Sequence, residues 1–215
     1  MKVIIPENIS DITLGQFMAY EELQTKGYDN INFLRRKINL FTNIPFKDTA
    51  NLSAKDFSRL SGLIDLALSQ EAEFLNRFKM LDIEFGFIPN FDKITAGEYA
   101  DICEHSKDKS AFNKLMAVLF RPVINSKGNE YDIMPYNTTE EYAELMKQMP
   151  LNIANGAVFF FLNLIQDLEK ATQKYLSKEL AREMKQPKSS KISVGTLRLR
   201  NWLKMIYLRS IRLQS

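Results

Sequence analysis

The sequence predicts an α+β domain, predominantly α-helical, with a small β-hairpin or sheet and a basic amphipathic helix at its C-terminal end. Three observations carry this. Apolar residues recur at 3–4 spacing in several long segments. Strand-like alternation is confined to short runs bounded by Pro or Gly. Basic residues crowd the end of the chain, with 12 Lys or Arg in residues 170–215 against two acids, Glu179 and Glu183. The expected organisation is one mostly helical α+β domain over 1–185, a polar linker over 186–195 and a basic amphipathic helical tail over 196–215.

Residues 2–5, Lys-Val-Ile-Ile, read as a short strand ended by Pro6, which has no ladder donor. Ser10 and Asp11 are placed to cap a helix running to about residue 25, and Gly27 stops it. Ile31, Leu34, Ile38 and Phe41 predict a second helix, closed by Asn43-Ile44-Pro45. Ser53-Ala54-Lys55-Asp56 has the form of a capping box, and the stripe behind it predicts a helix to about residue 73. Residues 81–88 alternate apolar with other residues and read as a strand.

Thr95-Ala96-Gly97-Glu98 is a second capping-box pattern, opening a helix to about residue 104. Residues 112–120 are apolar on a helical repeat and end at Arg121-Pro122. Two extended runs, 122–124 and 130–133, flank a turn containing Gly128 and predict a hairpin. Thr138-Thr139-Glu140-Glu141 caps a short helix to about residue 148, and the longest helix spans about 151–185. Gln186-Pro187-Lys188-Ser189-Ser190-Lys191 is the linker, and residues 196–213 are a final helix.

Composition narrows the functional classes. Of 215 residues, 45% are hydrophobic and 26% charged, which suits a folded domain with its own core. One Cys excludes an internal disulfide framework, and with one His it disfavours a protein-only zinc site. The N-terminus lacks the apolar run of a secretory signal, and the apolar stretch 156–165 is too short to span a bilayer. The expected setting is a reducing cytoplasm, with no membrane association. The net charge of +3 conceals an asymmetry. Removing the 12 bases and two acids of 170–215 from the totals of 29 and 26 leaves 17 bases and 24 acids before residue 170. The body is therefore acidic and the tail strongly basic, the pattern of a body with an interaction extension or of a solvated helix face.

No catalytic constellation stands out. Cys103 and His105 are two positions apart, and helical i,i+2 side chains diverge, so Cys103 reads as a packed or partly exposed helix residue. Asp65, Glu71, Glu73, Asp82 and Glu84 are spread over a helix and a strand; Glu140, Glu141 and Glu144 fit a helix N-terminus. There is no Gly-rich phosphate loop. Neither catalytic residues nor a metal or cofactor is expected. Phe85-Gly86-Phe87-Ile88-Pro89 reads as a core strand with a kink in preference to a docking edge.

The tail supplies the candidate partner-binding residues. On a helical wheel Leu199, Trp202, Leu203 and Ile206 share a face, and Arg198, Arg200 and Lys204 lie around it. Three readings stand: the helix folds back on its own core, inserts its apolar face into a partner's groove, or lies on nucleic acid or an anionic membrane.

Several strings resemble small structural or assembly proteins of the tail gene modules of double-stranded DNA bacteriophages, especially tail assembly chaperones. They are Ile12-Thr13-Leu14-Gly15-Gln16-Phe17, Phe85-Gly86-Phe87-Ile88-Pro89-Asn90, Gly97-Glu98-Tyr99, Val118-Leu119-Phe120-Arg121-Pro122-Val123, Tyr142-Ala143-Glu144-Leu145-Met146-Lys147, Met149-Pro150 and Gly156-Ala157-Val158-Phe159-Phe160-Phe161. The resemblance implies a non-enzymatic, mostly helical protein of the host cytoplasm that binds the long tape measure protein during tail assembly. The alternative it leaves is a virion component, such as a neck, tail or head-completion protein, whose basic tail contacts DNA or a neighbouring subunit. Self-association is compatible with both. The resemblance supplies no site residues and does not extend to the basic tail.

Overall fold

The computed structural model describes residues 3–137 and 140–160, together with Asn163, Lys170 and Gln173. The chain divides into two compact units, residues 1–156 and 157–215. The second is helical at 157–160 and at the three single positions. The expected linker at 186–195 and the expected tail helix at 196–215 lie outside the described residues.

The first unit opens with residues 3–7 extended but joined to no sheet, so the strand expected at 2–5 has no partner here. Helix α1 is Leu14–Thr25. Its cap is Thr13, not Ser10 or Asp11: Gln16 N–H donates to Thr13 Oγ1 at 3.2 Å, and Thr13 N–H donates to Gln16 Oε1 at 3.0 Å. Each side chain satisfies a main-chain donor that the first turn leaves open. The Gln16 amide also reaches Leu40 O at 3.1 Å, tying α1 to α2 (Asn30–Phe41). Asp29 caps α2, and Gly27, at φ 63°, makes the turn between the two helices. Helix α3 is Ala54–Leu68, capped by Ser53 as its sequence pattern predicts. It ends five residues before the expected limit. There Gln70 turns away to bind Ile9 N–H at 3.0 Å and Glu7 O at 3.1 Å, contacts a continuing helix would forfeit. Lys37 is buried and joins α2 to α3 through Asp65 at 2.6 Å and Ser61 at 3.0 Å.

A four-stranded antiparallel sheet follows, in the order β1-β2-β3-β4. Its strands are β1 (Arg77–Met80), β2 (Ile83–Phe87), β3 (Phe120–Lys127) and β4 (Glu130–Ile133). The expected strand at 81–88 is thus a shorter β2, and β1 precedes it unforeseen. Leu81 and Asp82 form the turn, both left-handed, at φ 50° and 62°. Gly128, at φ 64°, serves the β3–β4 turn. Helices α4 (Ala96–His105) and α5 (Phe112–Leu119) lie between β2 and β3, and α6 (Glu140–Met146) follows β4. Residues 151–160 form α7.

One face of the sheet is aromatic. Phe78 stacks on Phe85 at 5.6 Å, and Phe120 meets Phe78 at 5.3 Å and Phe87 at 5.1 Å. Phe85 and Phe120 are fully buried with Met116, Leu119, Met146 and Met149, so these methionines are core filling. On the opposite face Tyr131 lies across Gly86, where a Cβ would sit 2.5 Å from the ring. The Tyr131 hydroxyl donates to Phe87 O at 2.8 Å, holding the ring in place. β2 is interior, between β1 and β3, so Gly86 serves close packing and the 85–89 string is no docking edge.

Candidate functional site

The tail residues singled out by sequence, Arg198, Leu199, Arg200, Trp202, Leu203, Lys204 and Ile206, all lie outside the described residues. The most concentrated chemistry among the described residues is a buried ionic cluster that sequence reading did not assemble. It starts from the cap of α4. Thr95 Oγ1 accepts from Glu98 N–H at 3.2 Å, and Thr95 N–H donates to Glu98 Oε2 at 2.6 Å. This box folds the Glu98 side chain back toward the helix start. Its second oxygen, Oε1, faces the sheet and accepts from Arg121 Nη2 at 2.5 Å.

Arg121 sits on β3 opposite Gly86, on the face away from the phenylalanines. Both charged side chains are buried, Arg121 at 9% and Glu98 at 5% exposure. The Arg121 guanidinium lies 5.6 Å from the Tyr136 ring. The Tyr136 hydroxyl donates to the carboxylate of Asp101, one turn beyond Glu98 on α4. Burial, and then the Asp101 carboxylate, push the Tyr136 phenol above its ordinary value, which keeps it neutral.

The arrangement clamps α4 to β3 and to the segment after β4. Both Glu98 oxygens are engaged, and Tyr136 gives its proton to a hydrogen bond. Arg121 Nε is buried without a hydrogen-bond partner among the described residues. Such a cluster fixes geometry; its groups are occupied with one another and present no nucleophile–base pair. Glu98 was legible only as a capping residue and Arg121 only as a helix end. Nothing in their spacing announces that they meet, because the 23-residue separation is closed by the packing of α4 on the sheet.

The other sequence candidates are dispersed. Cys103 and His105 are both on α4, two positions apart. Asp65 pairs with Lys37, Glu84 with Arg77 at 3.8 Å, and Glu144 with Lys147 at 2.8 Å. Among the described residues no group of three or more His, Cys, Asp or Glu side chains is placed to hold a metal ion. No helix among them is long and apolar enough to cross a membrane.

The strings quoted for the phage resemblance meet in space. Leu14 N–H donates to Met149 O and Gly15 N–H to Lys147 O, each at 2.8 Å. Leu151 N–H donates to Ile12 O at 2.8 Å, so the chain on either side of Met149-Pro150 is stitched to the start of α1. Ile88 N–H donates to Leu119 O at 2.9 Å, and Phe85 contacts Tyr142 at 6.1 Å between ring centres. Gly156 abuts the main chain of Glu73, where a Cβ would lie 2.3 Å from the carbonyl oxygen. No protein-family model, curated protein or solved structure matches the chain.

Proposed function

We propose that this chain is a non-enzymatic phage assembly protein, a tail assembly chaperone that binds a helical tail component such as the tape measure protein. The observation that carries the reading is the convergence of the resemblance-bearing strings. Ile12 to Phe17, Phe85 to Asn90, Gly97 to Tyr99, Val118 to Val123 and the 142–150 segment supply the hydrogen bonds, ring contacts and ion pair that join α1, α4, α6 and the sheet. Strings that resemble a family and also build one core support a shared fold, and the family's role comes with it.

The contact with the partner is assigned to the 196–215 segment, whose apolar stripe and basic flanks are read from sequence. Two substitutions separate its contributions. Trp202→Ala is expected to speed dissociation of the partner with little salt dependence. Changing Arg198, Arg200 and Lys204 to Gln is expected to slow association, most visibly at low salt. Unchanged affinity of Trp202→Ala, with a lowered melting temperature of the protein itself, would show that the stripe is core. The second reading, a virion component, is favoured by the 12 bases against two acids in 170–215. Mass spectrometry of purified virions decides between them, since a chaperone is absent and a structural protein present.

A further inference from the structure

We infer that the chain pairs with a second copy of itself by strand addition, with Val3–Ile5 of one copy lying along the open edge of β1 in the other. The inference rests on two incomplete elements in the same chain. The first is the N-terminal segment. Residues 3–7 are extended, their sequence is strand-like, and no sheet receives them. Val3 and Ile4 are exposed at 42% and 62%. Among the described residues, a side-chain bond from Ile4 N–H to Asn43 Oδ1 at 3.0 Å is the one hydrogen bond to the main chain of 3–5.

The second element is the edge of the sheet. β1 pairs only with β2. Phe87 N–H donates to Asn76 O, and the register then alternates: the main-chain groups of Phe78 and Met80 point into the sheet. Those of Arg77 and Lys79 point outward, and among the described residues they make no main-chain hydrogen bond. An edge of this kind is a template for an added strand. Leu75 and Leu81 flank the edge, exposed at 44% and 59%. Val3 and Ile4 of a second copy would cover them while their peptide groups meet the free donors and acceptors. Glu7, which follows the segment, complements the Arg77 and Lys79 side chains in charge. An exchange in both directions completes two edges at once and closes as a two-fold dimer.

Sedimentation velocity and amide exchange on the full chain test this, independently of the partner proposed above. Lys79→Pro removes one outward N–H, and an edge position tolerates that change because the inward bonds of Phe78 and Met80 remain. Deleting residues 1–5 removes the donor segment. The expected result is a dimer in which the Arg77 and Lys79 amides exchange slowly. Both variants should sediment as monomers, and the deletion should restore rapid exchange at Arg77 and Lys79. A monomeric parent chain, a dimer that survives either change, or exchange at Arg77 and Lys79 that the deletion leaves unaltered would each overturn the inference. Should Lys79→Pro lose its cooperative unfolding transition, the exchange comparison with the deletion decides alone.

Discussion

Replacing Arg121 by Met tests whether the buried cluster holds α4 on the sheet. The substitution keeps much of the side-chain volume and removes the charge. Glu98 is only 5% exposed, so its Oε1 would be left as a buried anion facing an apolar group. Removing one member of a buried pair costs about 3–5 kcal/mol, because the survivor keeps its desolvation penalty and loses its partner. Arg121 Nε has no partner to lose, which argues for the lower half of that range. A domain of this size shifts by roughly 2–4 °C per kcal/mol, so a melting temperature lower by about 6–16 °C is expected. Urea unfolding followed by circular dichroism gives the free energy directly. The double variant Glu98→Gln with Arg121→Met should recover part of the loss, since it removes the stranded charge and keeps an acceptor for Thr95 N–H. A loss below about 1 kcal/mol in the single variant, typical of an exposed pair, would refute the assignment of a buried, structurally committed ion pair.

Three further outcomes follow from other parts of the fold. Gly156→Ala should cost about 3 kcal/mol or more in the same unfolding assay, because the new Cβ would lie 2.3 Å from the Glu73 carbonyl and the opposing group is main chain. Leu81→Asn combined with Asp82→Gly should stabilise the domain by about 1 kcal/mol, since both residues are left-handed in a two-residue hairpin turn that Asn-Gly adopts without strain. The Tyr136 phenol is raised in the folded state, so the unfolded chain loses its proton first, near pH 10, and stability falls as pH rises through that region. Tyr136→Phe should flatten this alkaline decline in denaturation measured from pH 8 to 11; an unchanged slope would show that Tyr136 contributes nothing to it.

What the sequence made legible was the short-range part of the fold. The caps at Ser53 and Thr95 act over three residues, and their spacing alone defines them. The β3–β4 hairpin was equally plain, because Gly128 marks its turn. β1 was not. Its four residues, Arg-Phe-Lys-Met, are few, and its turn is built from Leu81-Asp82 where Gly or Asn would have signalled it. The overrun of α3 has a similar cause: the pattern persists past Leu68, and the competing contacts of Gln70 with Glu7 and Ile9 come from a segment over sixty residues away. The N-terminal strand shows the converse, where β propensity is present and the described residues provide no ladder. The ionic cluster was illegible for the same reason. Glu98, Arg121 and Tyr136 come from α4, β3 and the segment beyond β4, and only the tertiary packing brings them together.

Where the resemblance-bearing strings fall also separates fold from function within them. Thr13 and Gln16 close a helix cap, Gly15 gives room for the Lys147 carbonyl 3.0 Å from where its Cβ would be, and Gly86 gives room for Tyr131. Glu98 and Arg121 bury their charges in each other. Each of these residues is spent on the interior, so none is free to recognise a partner by direct contact. A chain that binds another protein must then do so with residues outside the strings. Among the described residues, the exposed apolar side chains are candidates of that kind, and several of them, Val3, Ile4, Leu75 and Leu81, lie on the free N-terminal segment or beside the open strand. A family likeness carried by core strings thus predicts the scaffold well and the partner poorly. The two surfaces assigned above, the strand edge and the basic tail, therefore need separate experiments, and the failure of one leaves the other standing.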